Sequence, residues 1–312
     1  MTQLSQKQAK NRNIALVAAV AAVGLSMALV AAKSWAWMLG GSAALLASLV
    51  DSVIDALISF TNFLAIRYAH RPADDDHRYG HGKAEGIAAL AQAAFIAGSC
   101  VFVVLESLRV LGNPEAVGAI DLGIWVLVAA SIATLVLTRY QAYAAKTSHS
   151  LAVEADAAHY NGDIAVNAGV IASLLAGRYL GWMWLDPIVG MLVAVWLLYS
   201  AKIIGMKAID MLLDRELGSE MRDRIFTIIQ ETAGVEGLHD LRTRRSGPRI
   251  LISFDIEVDA TLTMIAAHDI THAVERRLLE AFPHAEVMIH TDPKGGDLTD
   301  SRHKKLKDFH VR

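Results

Sequence analysis

Residues 48–60 read SLVDSVIDALISF, and residues 154–170 read EADAAHYNGDIAVNAGV. In each, two metal-ligand side chains stand four apart in an otherwise apolar stretch: Asp51 and Asp55 in the first, His159 and Asp163 in the second. Residues i and i+4 of a helix lie on one face, a turn apart. Ionisable side chains within membrane-spanning segments are costly and mark ion or proton paths. Two carboxylates sharing one face need a cation or a proton. Three carboxylates and one imidazole suffice to close a tetrahedral site. Imidazole pulls a hard oxygen set away from Mg²⁺ and Mn²⁺ toward Zn²⁺, Fe²⁺ and Cd²⁺. Metal requires a neutral His159, so protons compete for the same atoms. These residues lead us to expect a chain that moves a divalent metal across a bilayer.

Working outward, 54% of the 312 residues are hydrophobic, above the about 45–50% of a soluble domain. The excess lies before residue 214. A bilayer core needs about 20 apolar residues per helix, and six such spans are expected. They run from Ile14 to Met38, Ser42 to Tyr68, Ala84 to Leu111, Ile120 to Tyr143, Leu151 to Leu180 and Leu185 to Leu213. Residues 1–13 form a polar, basic tail, and no signal-peptide cleavage pattern follows the first apolar run. Lys7, Lys10 and Arg12 lie on one side of the spans with Arg67, Arg71, Arg78, Lys83, Arg139 and Lys146; only Lys33, Arg109 and Arg178 lie on the other. The excess of positive charge faces the cytoplasm, so both termini are expected there. Trp35, Trp37, Trp182 and Trp184 gather on the opposite side as an interfacial belt. The net charge of −3 excludes a nucleic-acid footprint. Cys100 is the single cysteine and is expected to be a small buried hydrophobe.

After Asp214 the periodicity changes. Residues 218–233 pattern as a helix, 236–245 and 249–258 as strands, 263–282 as a helix and 285–291 as a strand. The order αββαβ gives a small open α/β domain over 215–293. Residues 294–312 are rich in charge and expected to be a disordered tail.

Two further clusters hold candidate ligands. The loop between the second and third spans carries Asp74, Asp75, Asp76, His77 and His81; a solvated polar loop is the plain alternative. The C-terminal domain places His239, Asp255, His268, His290 and Asp292 where one shared edge could gather them, and scattered surface residues are the alternative. His272, His284, His303 and His310 read as surface residues. Asn62 and Asn167 read as polar glue between packed helices.

These motifs resemble the cation diffusion facilitator family, in its bacterial zinc and ferrous-iron efflux branch. The resemblance covers residues 14–293. It rests on Asp51/Asp55, His159/Asp163, RPADDDHRYGHGKAE at 71–85, LLDRE at 212–216, LHDLRTR at 238–244 and VMIHTDP at 287–293. It implies an α-helical membrane protein with six transmembrane helices, a cytoplasmic metallochaperone-like αββαβ domain, a homodimer in membrane lipid, and metal export against protons across the cell inner membrane. It implies no prosthetic group; Zn²⁺, Fe²⁺ or Cd²⁺ is bound as substrate and regulatory ion. It assigns Asp51, Asp55, His159 and Asp163 to transport and Asp74, His77 and His81 to a loop site. It assigns His239, His268, His290 and Asp292 to a binuclear cytoplasmic site, and Lys83 with Asp214 to a salt bridge. Asp255 stands where relatives usually place a histidine, and Thr291 where a glutamine is common. Asp255 can still ligate, as a harder donor.

A membrane-bound metallohydrolase would need an open coordination position and a placed general base. Four ligands on two helices with no fifth beside them argue against it. A metal sensor or store is the remaining alternative, and metal flux in liposomes separates it from a transporter.

Overall fold

The computed structural model of the chain describes residues 3–40, 43–112, 121–182 and 184–295. Some helical side chains, that of Asp51 among them, lie outside that description, as does the expected tail from 296 on with His303 and His310. The chain divides into two compact units, Ala9–Asp210 and the residues from Met211 onward with the first few residues.

Among the described residues, six long helices make up the first unit: α1 (Gln3–Gly40), α2 (Ala43–Ala69), α3 (Ala84–Gly112), α4 (Asp121–Ser148), α5 (Leu151–Leu180) and α6 (Leu185–Leu212). Helix α1 starts well before Ile14, because the polar stretch from Gln3 to Asn13 contains neither glycine nor proline to stop it. Among the described residues, three stretches are long and apolar enough to cross a membrane: Lys10–Trp35, Ala84–Gly112 and Pro187–Leu212. Helix α5 opens on Ser150, whose hydroxyl accepts from the backbone N–H of Val153 at 3.3 Å, as a capping serine does. Past α6, Asp214 takes a φ of +56°, a left-handed conformation that aspartate tolerates better than most residues.

Small residues let the helices approach closely. Ala15, Ala18 and Ala19 of α1 are buried against Ile66 of α2, Ala88 of α3, Ala144 of α4 and Ala152 of α5. Ile96 and Cys100 of α3 are buried with Ala194 and Ala201 of α6. Asn62 and Asn167 do bridge helices: Asn62 Nδ2 donates to Gln92 Oε1 at 2.5 Å, and Asn167 Nδ2 to Ser131 Oγ at 3.3 Å.

The second unit runs α7 (Ser219–Gln230), β1 (Gly237–Ser246), β2 (Arg249–Val258), α8 (Met264–Ala281) and β3 (Ala285–Pro293). The three strands form one mixed sheet in the order β1-β2-β3, with β1 antiparallel and β3 parallel to β2. Gly247 supplies the φ of +59° that the two-residue turn between β1 and β2 requires. On β2, Ile252, Phe254, Ile256 and Val258 are buried with Ile225 and Ile229 of α7 and Val274 and Leu278 of α8. Side chains alternate along a strand, so the residues between them, Asp255 and Glu257, point to the face away from this core.

Candidate metal centres

The polar face of α2 meets that of α5. His159 Nε2 lies 3.1 Å from Asp55 Oδ1 and 3.9 Å from Asp163 Oδ2. One ligand atom from each of Asp55, His159 and Asp163 lies within 4.8 Å of the others. His159 is buried while Asp55 and Asp163 are partly open. The aromatic ring of Phe95 meets the imidazole edge-on, with centroids 6.1 Å apart. Helix periodicity sets Asp51 one turn from Asp55 on α2; its side chain lies outside the described residues.

A polar ladder continues from these ligands. Ser59 Oγ and Tyr160 Oη lie 2.7 Å apart, and Asn62 Nδ2 donates to Asp156 Oδ1 at 3.2 Å. Asp156 joins the candidate ligands through this ladder and is not one of the paired motifs of the sequence. The signal was present, because it is a carboxylate within an apolar helix three residues before His159.

The loop cluster is preorganised. Asp74 Oδ1 accepts from the His77 backbone N–H at 2.7 Å and lies 3.2 Å from His77 Nδ1. Its Oδ2 lies 3.2 Å from His81 Nε2. The His77 N–H bond holds the Asp74 carboxyl below the usual aspartate range, aided by the nearby imidazoles. His81 is buried while Asp74 and His77 are exposed. Asp75 pairs instead with Arg78 at 3.3 Å.

In the second unit, strand register gathers the candidate ligands. Asp255 of β2 is paired with His239 of β1 on one side and His290 of β3 on the other. His239 Nδ1 lies 3.6 Å from Asp255 Oδ2, and its Nε2 lies 3.5 Å from Asp292 Oδ2 and 3.8 Å from Glu257 Oε1. His290 Nε2 lies 3.0 Å from Asp292 Oδ1. Burial pushes the Asp255 carboxyl above its ordinary range, against the opposing pull of His239 and His290.

Two residues absent from the sequence reading join this cluster. Asp240, at a φ of +52° where the β1 register shifts, forms a metal-compatible group with His239 and Asp255. Glu257 enters through its contact with His239. A bulge leaves no mark in an alternation pattern, so Asp240 was not legible beforehand.

His268 is exposed on α8, its ring 4.5 Å from that of His272, and is not among the groups of described residues that could hold a metal. Thr291 Oγ1 faces α8, 3.0 Å from Thr271 Oγ1. His272 pairs with Glu275 at 3.2 Å. Asp214 Oδ2 accepts from Arg244 Nη1 at 3.0 Å within the second unit.

Residues 19–213 match the cation efflux transmembrane domain, and residues 217–294 match the cytoplasmic domain of cation efflux proteins. A cation-efflux pump named FieF from Shewanella oneidensis is 45% identical over 277 residues, 89% of this chain and 93% of that one. Its namesake from Klebsiella pneumoniae is 41% identical over 276 residues, 88% of this chain and 92% of that one. The metal-bound C-terminal domain of the CzcD transporter from Thermotoga maritima is 33% identical, with a TM-score of 0.24, over 25% of this chain and 92% of that one.

Proposed function

The chain belongs to the cation diffusion facilitator family of cation-efflux proteins, and from that premise we propose that it exports Zn²⁺, with Fe²⁺ and Cd²⁺ as further substrates, in exchange for protons. It is a transporter and not an enzyme. The observation that carries the proposal is the convergence of Asp55, His159 and Asp163 between two helices of the membrane body. Asp51 completes a four-ligand site. A metal-free imidazole can donate its N–H to Asp55, 3.1 Å away. Proton and metal then compete for the same atoms, and no separate proton channel is needed.

In this reading α1–α6 are six membrane spans over 14–214, both termini and the domain over 215–293 are cytoplasmic, and the membrane is the cell inner membrane. The protein works as a homodimer. Asp74, His77 and His81 form a loop site. His239, Asp255, His290 and Asp292, with His268 at a second metal, form a binuclear regulatory site. The carboxylate-rich set around Asp255 favours harder cations than a histidine there would.

The test is flux of Zn²⁺, Cd²⁺, Fe²⁺ and Mn²⁺ in proteoliposomes under an imposed pH gradient. Zn²⁺ should move fastest, and protons placed on the receiving side should accelerate it. Metal binding without flux would favour a store or sensor; flux indifferent to the gradient would remove the exchange.

A further inference from the structure

Asp156 is a buried carboxylate for which metal–proton exchange has given no role; it is 2% exposed. On α5 it stands three residues before His159 and seven before Asp163, so the three share one helix stripe. Its oxygens accept from amides on three other helices. Asn62 Nδ2 of α2 and Gln92 Nε2 of α3 donate to Oδ1 at 3.2 and 3.5 Å. Gln141 Nε2 of α4 donates to Oδ2 at 2.6 Å. All three amides are themselves buried, and Asn62 also donates to Gln92 Oε1 at 2.5 Å.

Four helices thus meet at one carboxylate. Hydrogen bonds are directional, and a buried amide left without an acceptor is costly. All the donors are satisfied together only when α2, α3, α4 and α5 keep one mutual register. That register also decides whether the ligands meet. Between α2 and α5, Asn62 faces Asp156, Ser59 faces Tyr160 and Asp55 faces His159. A slip at the Asp156 end is carried along stiff helices to the metal end.

We infer that Asp156 is a positioning residue for metal transport: by binding Asn62, Gln92 and Gln141 it locks α5 against three helices and holds His159 and Asp163 within reach of Asp55. The inference rests on the transport-site reading above. It differs from a purely structural role in what it does to affinity. Loosened ligands bind metal less tightly, whereas lost stability alone reduces the amount of working protein.

The experiment titrates Zn²⁺ flux in proteoliposomes and reads KM apart from the maximal rate. Outer groups that orient metal ligands typically change affinity by about 10- to 100-fold when removed. D156A should therefore raise KM by on the order of 10-fold, with a smaller change in maximal rate. D156N should restore KM to near the parent value. The new side-chain oxygen still accepts from Asn62 and Gln92, and Gln141 Oε1, which has no hydrogen-bond partner among the described residues, can turn to accept from the new amide. Q92A and Q141A cut the same node from other helices and should raise KM in the same direction. They carry the test if D156A does not fold. Unchanged KM in both, with only yield or melting temperature falling, would overturn the inference. A D156N variant as impaired in KM as D156A would also overturn it, since charge and not positioning would then matter. Failure of the underlying reading has its own signature: D55A would keep its flux.

Discussion

His159 Nε2 and Asp55 Oδ1 lie 3.1 Å apart, although 104 positions of chain separate the two residues. The contact joins α5 to α2 and brings an imidazole to a carboxylate inside the helical body. A proton between the two atoms and a metal ion bound to both are mutually exclusive. That exclusion is what the proposed metal–proton exchange requires of the site.

Removing one ligand should silence the site. Asp55→Ala leaves His159 and Asp163 with a gap where the second helix contributed. Zn²⁺ flux should fall by at least about 100-fold, beyond the effect of losing an outer group, while helix content by circular dichroism stays at the parent value. Near-parental flux would show that the metal crosses elsewhere.

Metal preference should follow the imidazole. His159→Asp makes the site all oxygen, which favours hard cations over borderline ones. The ratio of Zn²⁺ to Mn²⁺ flux, measured in the same vesicles, should drop by roughly 10-fold or more. An unchanged ratio would assign selectivity to another residue.

Asp255 makes the second unit respond to pH in the opposite sense to an ordinary paired carboxylate. Burial raises its folded-state pKa, so the folded state favours the protonated acid. Its contribution to stability is present below the unfolded value of about 3.9 and is lost as pH rises through the raised one. In chelator, the full-length Asp255→Asn variant should gain melting temperature over the parent at pH 7 more than at pH 4. Added Zn²⁺ should stabilise the parent more than the variant. An equal difference at both pH values would refute the assignment.

The loop should bind metal independently of the membrane site. His81 is buried against an Asp74 already oriented by the His77 N–H. His81→Ala in an Asp55→Ala background should weaken Zn²⁺ binding at the loop by at least about 10-fold, read by calorimetry. The same change alone should leave measurable flux. If it abolished flux instead, the loop would be an obligatory step of transport.

Asp74, His77 and His81 lie close together in sequence, and the structure brings their ligand atoms together. The candidate ligands of the helical body stand out in the sequence as pairs, because Asp55 and His159 each stand in an apolar run with a partner four residues away. Glu257 carries no signal of its own in the sequence, because one charged residue between apolar neighbours on a strand is ordinary. Asp240 was hidden by the irregularity that turns it toward His239. His268, which the resemblance implies at the cytoplasmic site, lies exposed on α8 with its ring against His272.

By itself the sequence determined what depends on local periodicity. The apolar runs give long helices, the alternation in ILISFDIEVD gives β2 with Asp255 on its outer face, and i,i+4 spacing fixes which residues share a helix stripe. The tertiary structure decided which stripes face each other. It set Asp55 opposite His159, gathered Asn62, Gln92 and Gln141 around Asp156, and aligned His239 and His290 on either side of Asp255. The reason is physical: helix and strand geometry repeats every few residues and is written in neighbouring positions. The register between elements is instead the joint result of packing and buried hydrogen bonds among residues distant in the chain.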